Sequence, residues 1–380
     1  MTHPKLSDIV GIINKIAPQN LAEKWDAVGL QVGDPTVTVS RIMTALDPGA
    51  PAIDAAIAAG CQLLVTHHPF IFKPLSRLTA ADPVTARIFR AIRNNLAVIS
   101  LHTNYDSAEG GLNDLLAEKI GVVSCKPLTE SLHEELVKLA VFVPRGFEPQ
   151  VMEALFRFSG FIGNYRDCSF RVDGTGTFFP LQGAKPFQGE VGIRESAEEV
   201  RLEVLLRAAD AGKALEAMKA AHPYEEPAYD LYPLLNKGKG FGLGRIGVLG
   251  KPATLAEYAA LVRERLNASL VRYVGSPLQS VRTVALCSGG GASFLHEAKR
   301  RGADLLVTGD VKYHDARTAE EIGLALMDAG HFGTEIIAAQ GLATRISNEC
   351  RHRRYEVELL PCRDELDPFQ VVMPALEKQN

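Results

Sequence analysis

Closely spaced cysteines are missing from this sequence. Its six (Cys61, Cys125, Cys168, Cys287, Cys350, Cys362) include no C-x-x-C pair and no short spacing. Thiolate metal sites and a disulfide framework are thereby disfavoured, and a reducing cytoplasm is the expected setting. Positive charge is not in excess: 41 Lys and Arg stand against 45 Asp and Glu, for a formal net charge of −4. That balance supplies no basic field for a general nucleic-acid partner. No apolar run approaches the ~18 residues of a membrane span. The opening segment MTHPKLSDIVGIINKIAPQN has helically spaced Ile9, Ile12, Ile13 and Ile16 around Asp8, not the unbroken apolar core of a secretion signal.

What is present is the pattern of an α/β protein. RIMTALD, CQLLVT and LAVISL read as short strands, separated by the helical stretches PAIDAAIAAG and PVTARIFRAIRNN. EGGLNDLLAEKIG is a helix ending on Gly121. From residue 245 the alternation resumes with strand RIGVLG, a helix capped by Thr254, then TVALC, ASFLHEAKRRG, DLLVT and LALMD. A long helical segment, TEIIAAQGLATRISNEC, follows. Short apolar strands alternating with helices imply a mostly parallel sheet covered on both faces.

Between these regions the order changes to β-α-β-β-α-β, the split order of a ferredoxin-like domain. We therefore expect a core first half at 1–127, an inserted domain at 128–238 and a core second half at 239–380. The glycine-rich KGKGFGLGR precedes a strand and not a helix, so it reads as a linker and not a dinucleotide loop.

The outer regions repeat each other. GCQLLVTHH (60–68) matches GADLLVTGD (302–310), and each copy continues to a second strand followed by a histidine with an acid four residues later. These are His102 with Asp106, and His331 with Glu335. Such a repeat implies two similar α/β halves facing one another. Its polar residues fall at the carboxyl ends of parallel strands, where such sheets bind ligands.

His67 and His68 directly follow LLVT. They are either loop histidines bonded to backbone or, since successive residues of extended chain point opposite ways, ligands of two different metals. Asp106 is either a turn residue or a ligand. His331 and Glu335 share one helical face if the helix begins there. Together, three imidazoles and two carboxylates without sulfur form a donor set suited to zinc, iron, manganese, cobalt or nickel. Five ligands, two of them able to bridge, fit two divalent ions.

The segments WDAVGLQVGD, LLVTHHPFIF, SLHTNYDSAEGGLND, TGDVKYHDA and DAGHFGTE resemble the motifs of the dinuclear-metal-centre hexameric family, the Nif-three-like proteins or GTP cyclohydrolase I type 2 homologues. The resemblance implies a Nif-three-like core, a toroidal homohexamer and metal ligation by His67, His68, Asp106, His331 and Glu335. The inserted domain, through HPYEEPAYD (222–230), resembles the PII- and CutA-like domain of longer bacterial members.

Other residues keep two readings each. His102 supports Asp106 or caps a helix. Asp310 orients a ligand imidazole and His314 carries a proton, or both lie in an ordinary polar loop. Trp25 and Asp26 wall a cavity or pack in the core. CSGGGASFLHEA holds a phosphate or makes a tight turn, and His222, Glu225 and Glu226 bind a metal or shape a turn. The expected function is metal-dependent hydrolysis of a small molecule, with His102 and His314 as candidate proton carriers. The rival is a hexameric metal-binding or regulatory protein whose inserted domain senses a ligand.

Overall fold

In this computed structural model the described residues are 2–372. They form two compact units, one running to Ser131 and resuming at Phe241, the other Leu132–Gly240.

The larger unit is built on two sheets. The five-stranded sheet runs in the order Gly29–Val32, Ala97–Ser100, Leu63–Thr66, Arg41–Ala45, Glu358–Pro361, parallel except for its first pair. The six-stranded sheet runs Arg272–Val274, Ala325–Asp328, Leu305–Thr308, Ser280–Leu286, Arg245–Thr254, Val122–Pro127. Its centre is a parallel trio flanked by antiparallel neighbours. All four residues of each LLVT strand are buried, which explains their unbroken apolar runs: both faces of a central parallel strand are covered.

Register brings the strand tips together. Thr66 pairs with Ser100 and Thr308 with Asp328, so the chain leaves each sheet at adjacent points. His67 and His102 emerge from the first sheet in this way, Gly309 and His331 from the second.

The helices close the cores by their apolar faces. Ile9, Ile12, Ile13 and Ile16 of helix Leu6–Ile16 are buried with Ala338, Leu342 and Ile346 of helix Ile337–His352. Asp82 caps helix Pro83–Arg93, its carboxylate accepting from the Val84 and Thr85 N–H groups. Helix Leu112–Ile120 ends on Gly121 at φ 83°, a left-handed position that glycine takes without strain.

Two strands differ from the expected division into halves. Val122–Pro127 pairs with Arg245–Thr254 in the second sheet, and Glu358–Pro361 pairs with Arg41–Ala45 in the first. Each half thus lends a strand to the other's sheet. Local composition marks a segment as strand but carries no information about its distant partner.

The Leu132–Gly240 unit follows the β-α-β-β-α-β order. Strands Leu136–Pro144, Ser169–Phe178, Glu195–Arg207 and Tyr229–Pro233 alternate with helices Glu148–Phe156 and Ala211–Ala221. The sheet is antiparallel, with Leu136–Pro144 and Glu195–Arg207 at its centre and Ser169–Phe178 at an edge. Val141, Leu155, Leu202 and Met218 pack in its own core. Among the described residues no helix is long and apolar enough to cross a membrane.

Candidate metal centre

The strand tips of the two parallel arrays converge on a histidine and carboxylate cluster. His67 is fully buried, and its Nε2 lies 3.8 Å from both Asp106 Oδ1 and Glu335 Oε1. His68 Nε2 stands 3.0 Å and His331 Nε2 2.9 Å from the other Glu335 oxygen, Oε2. Glu335 therefore faces two sets of donors, one through each oxygen. His331 and Glu335 are the first and last residues of the one-turn helix His331–Glu335, which puts both on one face. Asp106 lies inside its own short helix, Thr103–Ser107, and Gly111 takes the cap position of the helix that follows.

Every imidazole of the cluster has its Nδ1 anchored. His67 donates from Nδ1 to the Leu101 carbonyl at 2.9 Å, and His68 to Asp47 at 2.8 Å. His102 donates to Asp26 at 2.8 Å, and His331 to Asp310 at 2.7 Å. An acceptor on Nδ1 selects the tautomer with a bare Nε2 and fixes ring orientation, which is how outer carboxylates support metal-binding imidazoles. For Asp310 the sequence offers either such a contact or an ordinary polar loop, and here it accepts from His331. Asp47 carries no such signal: it lies 21 residues before its histidine with no motif linking them.

These residues fit a metal by their own chemistry. Two groups, His67 with His68 and His102, and His68 with His331 and Glu335, bring ligand atoms within 4.8 Å of one another and could hold an ion. His67 Nε2 is buried without a hydrogen-bond partner, a state that costs folding energy unless something satisfies it. Donors on one ion at about 2.0–2.2 Å stand about 3–3.5 Å apart, so the separations here need little adjustment.

Electrostatics within the cluster shift its titrating groups. Burial opposes charging His67, yet Asp106 and Glu335 raise its pKa above the usual imidazole value. His68 is likewise opposed by burial, and its bonds to Asp47 and Glu335 carry it to about 10. Hydrogen bonding to Glu335, against burial and with help from Asp310, takes His331 to about 9. Burial favours a neutral Glu335, but three imidazoles hold it well below the ordinary glutamate range. Burial raises Asp106, beyond what His67 offsets. Asp26 is opposed by burial too, and bonds from His102 and Thr103 bring it down to about 2.

The CSGGG turn makes room for the cluster. Gly289 has φ +59°, and a Cβ there would collide with Glu335 Oε1. The turn's N–H groups are engaged within the fold: Ser288 donates to Asn113, Gly289 to Thr334 and Gly291 to Thr308. That fits the tight-turn reading and leaves no phosphate cradle at these three amides. Trp25 is 59% exposed, edge-on to His102 and Phe72, so core packing does not account for it. The neighbouring Asp26 side chain is buried against His102. His314 stands exposed on helix Tyr313–Ile322, its ring against Tyr313 and joined to no cluster residue by a bond or ring contact.

A cluster of imidazoles and carboxylates at the strand tips of two parallel arrays defines a class: α/β proteins with a candidate multi-histidine metal centre. Residues 4–368 match the model of the Duf34/NIF3 (NGG1p interacting factor 3) family, and the chain belongs to that family. Among its relatives is a Halalkalibacterium halodurans protein named GTP cyclohydrolase 1 type 2 homolog. It is 39% identical over 365 residues, covering 96% of this chain and 98% of that protein. A Bacillus subtilis protein of the same name is 38% identical over 362 residues, covering 95% and 97%. Among solved structures, a Bacillus cereus protein related to NIF3 matches with a TM-score of 0.92 at 37% identity, over 98% of this chain and 100% of that one. Staphylococcus aureus SA1388 matches at 0.76 and 27%, with the same coverage.

Proposed function

We propose that this chain is a cytoplasmic metal-dependent hydrolase of a small molecule. His67, His68, Asp106, His331 and Glu335 would hold two divalent transition-metal ions. One observation carries the reading: Glu335 presents one oxygen toward His67 and Asp106, and the other between His68 and His331. Such ions supply Lewis acidity and lower the pKa of water, the chemistry hydrolysis needs.

The chain's own residues do the rest. Asp47, Asp310 and the Leu101 carbonyl hold each imidazole in the tautomer that leaves Nε2 free. His67 and Glu335 close the inner side, while His331, with a side chain 38% exposed, opens toward the approach path. His102 is the better candidate proton carrier: its Nδ1 rests on Asp26, and its ring centroid is 5.3 Å from that of His67 and 5.7 Å from that of His68. By accepting from Nδ1, the Asp26 carboxylate leaves Nε2 as the nitrogen free to take and give a proton. His314 has no comparable contact.

The same proposal includes a toroidal homohexamer and an inserted unit of the PII and CutA kind, the latter supported by its β-α-β-β-α-β order. The relatives' name puts GTP first among substrates to try. The test combines metal analysis with a hydrolysis screen of GTP, other nucleotides, phosphate esters and cyclic amides. Metal-dependent turnover abolished by His68→Ala is expected. No turnover by fully loaded protein on any class would overturn it in favour of a metal-binding or regulatory protein.

A further inference from the structure

The Leu132–Gly240 unit contains a cavity of about 780 Å³ of its own. That lies within the range of small-molecule sites. Phe142, Phe178, Phe187 and Tyr224 supply aromatic walls, and the ionisable side chains that line it are carboxylates and the Tyr224 phenol, with no Lys, Arg or His.

The decisive group is Glu199. It is only 8% exposed, on the central strand Glu195–Arg207. One of its oxygens accepts from the Tyr224 hydroxyl at 3.1 Å. The other occupies the space that a side chain at position 176 would fill, since a Cβ on Gly176 would collide with it. That second oxygen has no hydrogen bond or ion pair within the protein. His222 fixes Tyr224 in place: its Nε2 donates to the Phe142 carbonyl at 3.0 Å, and its Nδ1 accepts from the Tyr224 N–H at 3.1 Å. Both ring nitrogens are thus engaged, which fits the turn reading of HPYEEP and leaves no metal ligand there.

A carboxylate with one oxygen free of protein partners, set among aromatic walls, is complementary to positive charge. An anionic ligand would meet Glu199 and the exposed Glu225 and Glu226 with repulsion. A neutral apolar ligand would cut that oxygen off from water with nothing to replace it. A bare metal ion would need several close donors, and among the described residues no group able to hold a metal includes these side chains. An organic ammonium ion satisfies both features, because its charge meets the carboxylate while its alkyl groups lie on aromatic faces. We infer that this cavity is a binding site for a small organic ammonium cation, distinct from the histidine cluster.

The test is calorimetric titration of the full-length protein with choline and with benzyltrimethylammonium. Dimethylbutanol, the uncharged carbon analogue of choline, is the control. The ammonium probes should bind at least about tenfold more tightly than the analogue, the scale of a cation on aromatic rings beside a carboxylate. Glu199→Gln should weaken them by about tenfold with an unchanged melting temperature, and Phe187→Ala should weaken them too. Glu335→Gln, in the histidine cluster, should leave this binding intact. If Glu199→Gln fails to fold, Glu226→Gln and Phe187→Ala, both at exposed positions, carry the test. Equal binding of the uncharged analogue, full affinity in the variants, or no ammonium binding at millimolar concentration would each overturn the assignment.

Discussion

The two copies of the repeat use one frame for different work. In each, an LLVT strand lies beside a second parallel strand, and a histidine and an acid follow four residues apart. The first copy places His67 and His68 after LLVT, where the second places Gly309 and Asp310. One strand tip therefore supplies two imidazoles, and the other supplies the carboxylate that orients His331. The paired acids differ as well. Asp106 approaches His67 and bonds Ser288 Oγ at 3.3 Å, whereas Glu335 reaches three imidazoles. The backbone frame sets where side chains meet, and the acids at its two equivalent positions contact different donor sets.

That asymmetry is most exposed to test at the carboxylates. Glu335→Ala should strip both ions, while Asp106→Ala should deplete chiefly the ion nearer His67. Elemental analysis after dialysis decides it, and equal depletion by the two would break the comparison. Next in size is Gly289→Ala. The added methyl crowds Glu335 at a positive φ, and overpacking of this kind costs about 1–3 kcal/mol. Melting temperature and metal affinity should fall together.

The supporting acids come third. Asp310→Asn and Asp47→Asn should each weaken metal binding by about 10–100-fold. Asp26→Asn, which touches His102, should lower turnover with little change in metal content. A large metal loss from that variant would make His102 a ligand.

The fourth test is pH. In the metal-free protein the raised values of His68, about 10, and His331, about 9, mean both are charged at neutrality. Their contribution to metal-free stability is full below the unfolded imidazole pKa of about 6.5 and is lost as pH rises through 9 to 10. Metal affinity must run the other way, because each ion displaces protons from its ligands. An indicator dye should register proton release on loading at neutral pH, and thermal melts of metal-free protein should fall on the alkaline side. Smallest of all is His314→Ala: exposed and apart from the cluster, it should change neither metal content nor turnover.

Much of this organisation was legible in the sequence because it is local. LLVT runs, a histidine and an acid at helical spacing, and Gly121 at a helix end all declare themselves within a few residues. Asp47 and Asp26 do not, lying 21 and 76 residues from the histidines they hold, and only topology brings them close. Gly289 was visible as part of a glycine turn, but its purpose depends on Glu335, which folds back against it. The partners of Val122–Pro127 and Glu358–Pro361 were hidden for the same reason.

Those exchanged strands bear on how the chain leaves a ribosome. Among the described residues the open side of Arg41–Ala45 is covered only by Glu358–Pro361, so until those residues are made the first sheet carries a bare edge of unpaired amides and carbonyls. Such edges recruit other strands, and nascent chains of this length are vulnerable to that error. The first sheet is thus begun with Arg41–Ala45 and completed only once residues 358–361 exist, so that edge stays open for a long stretch of the chain.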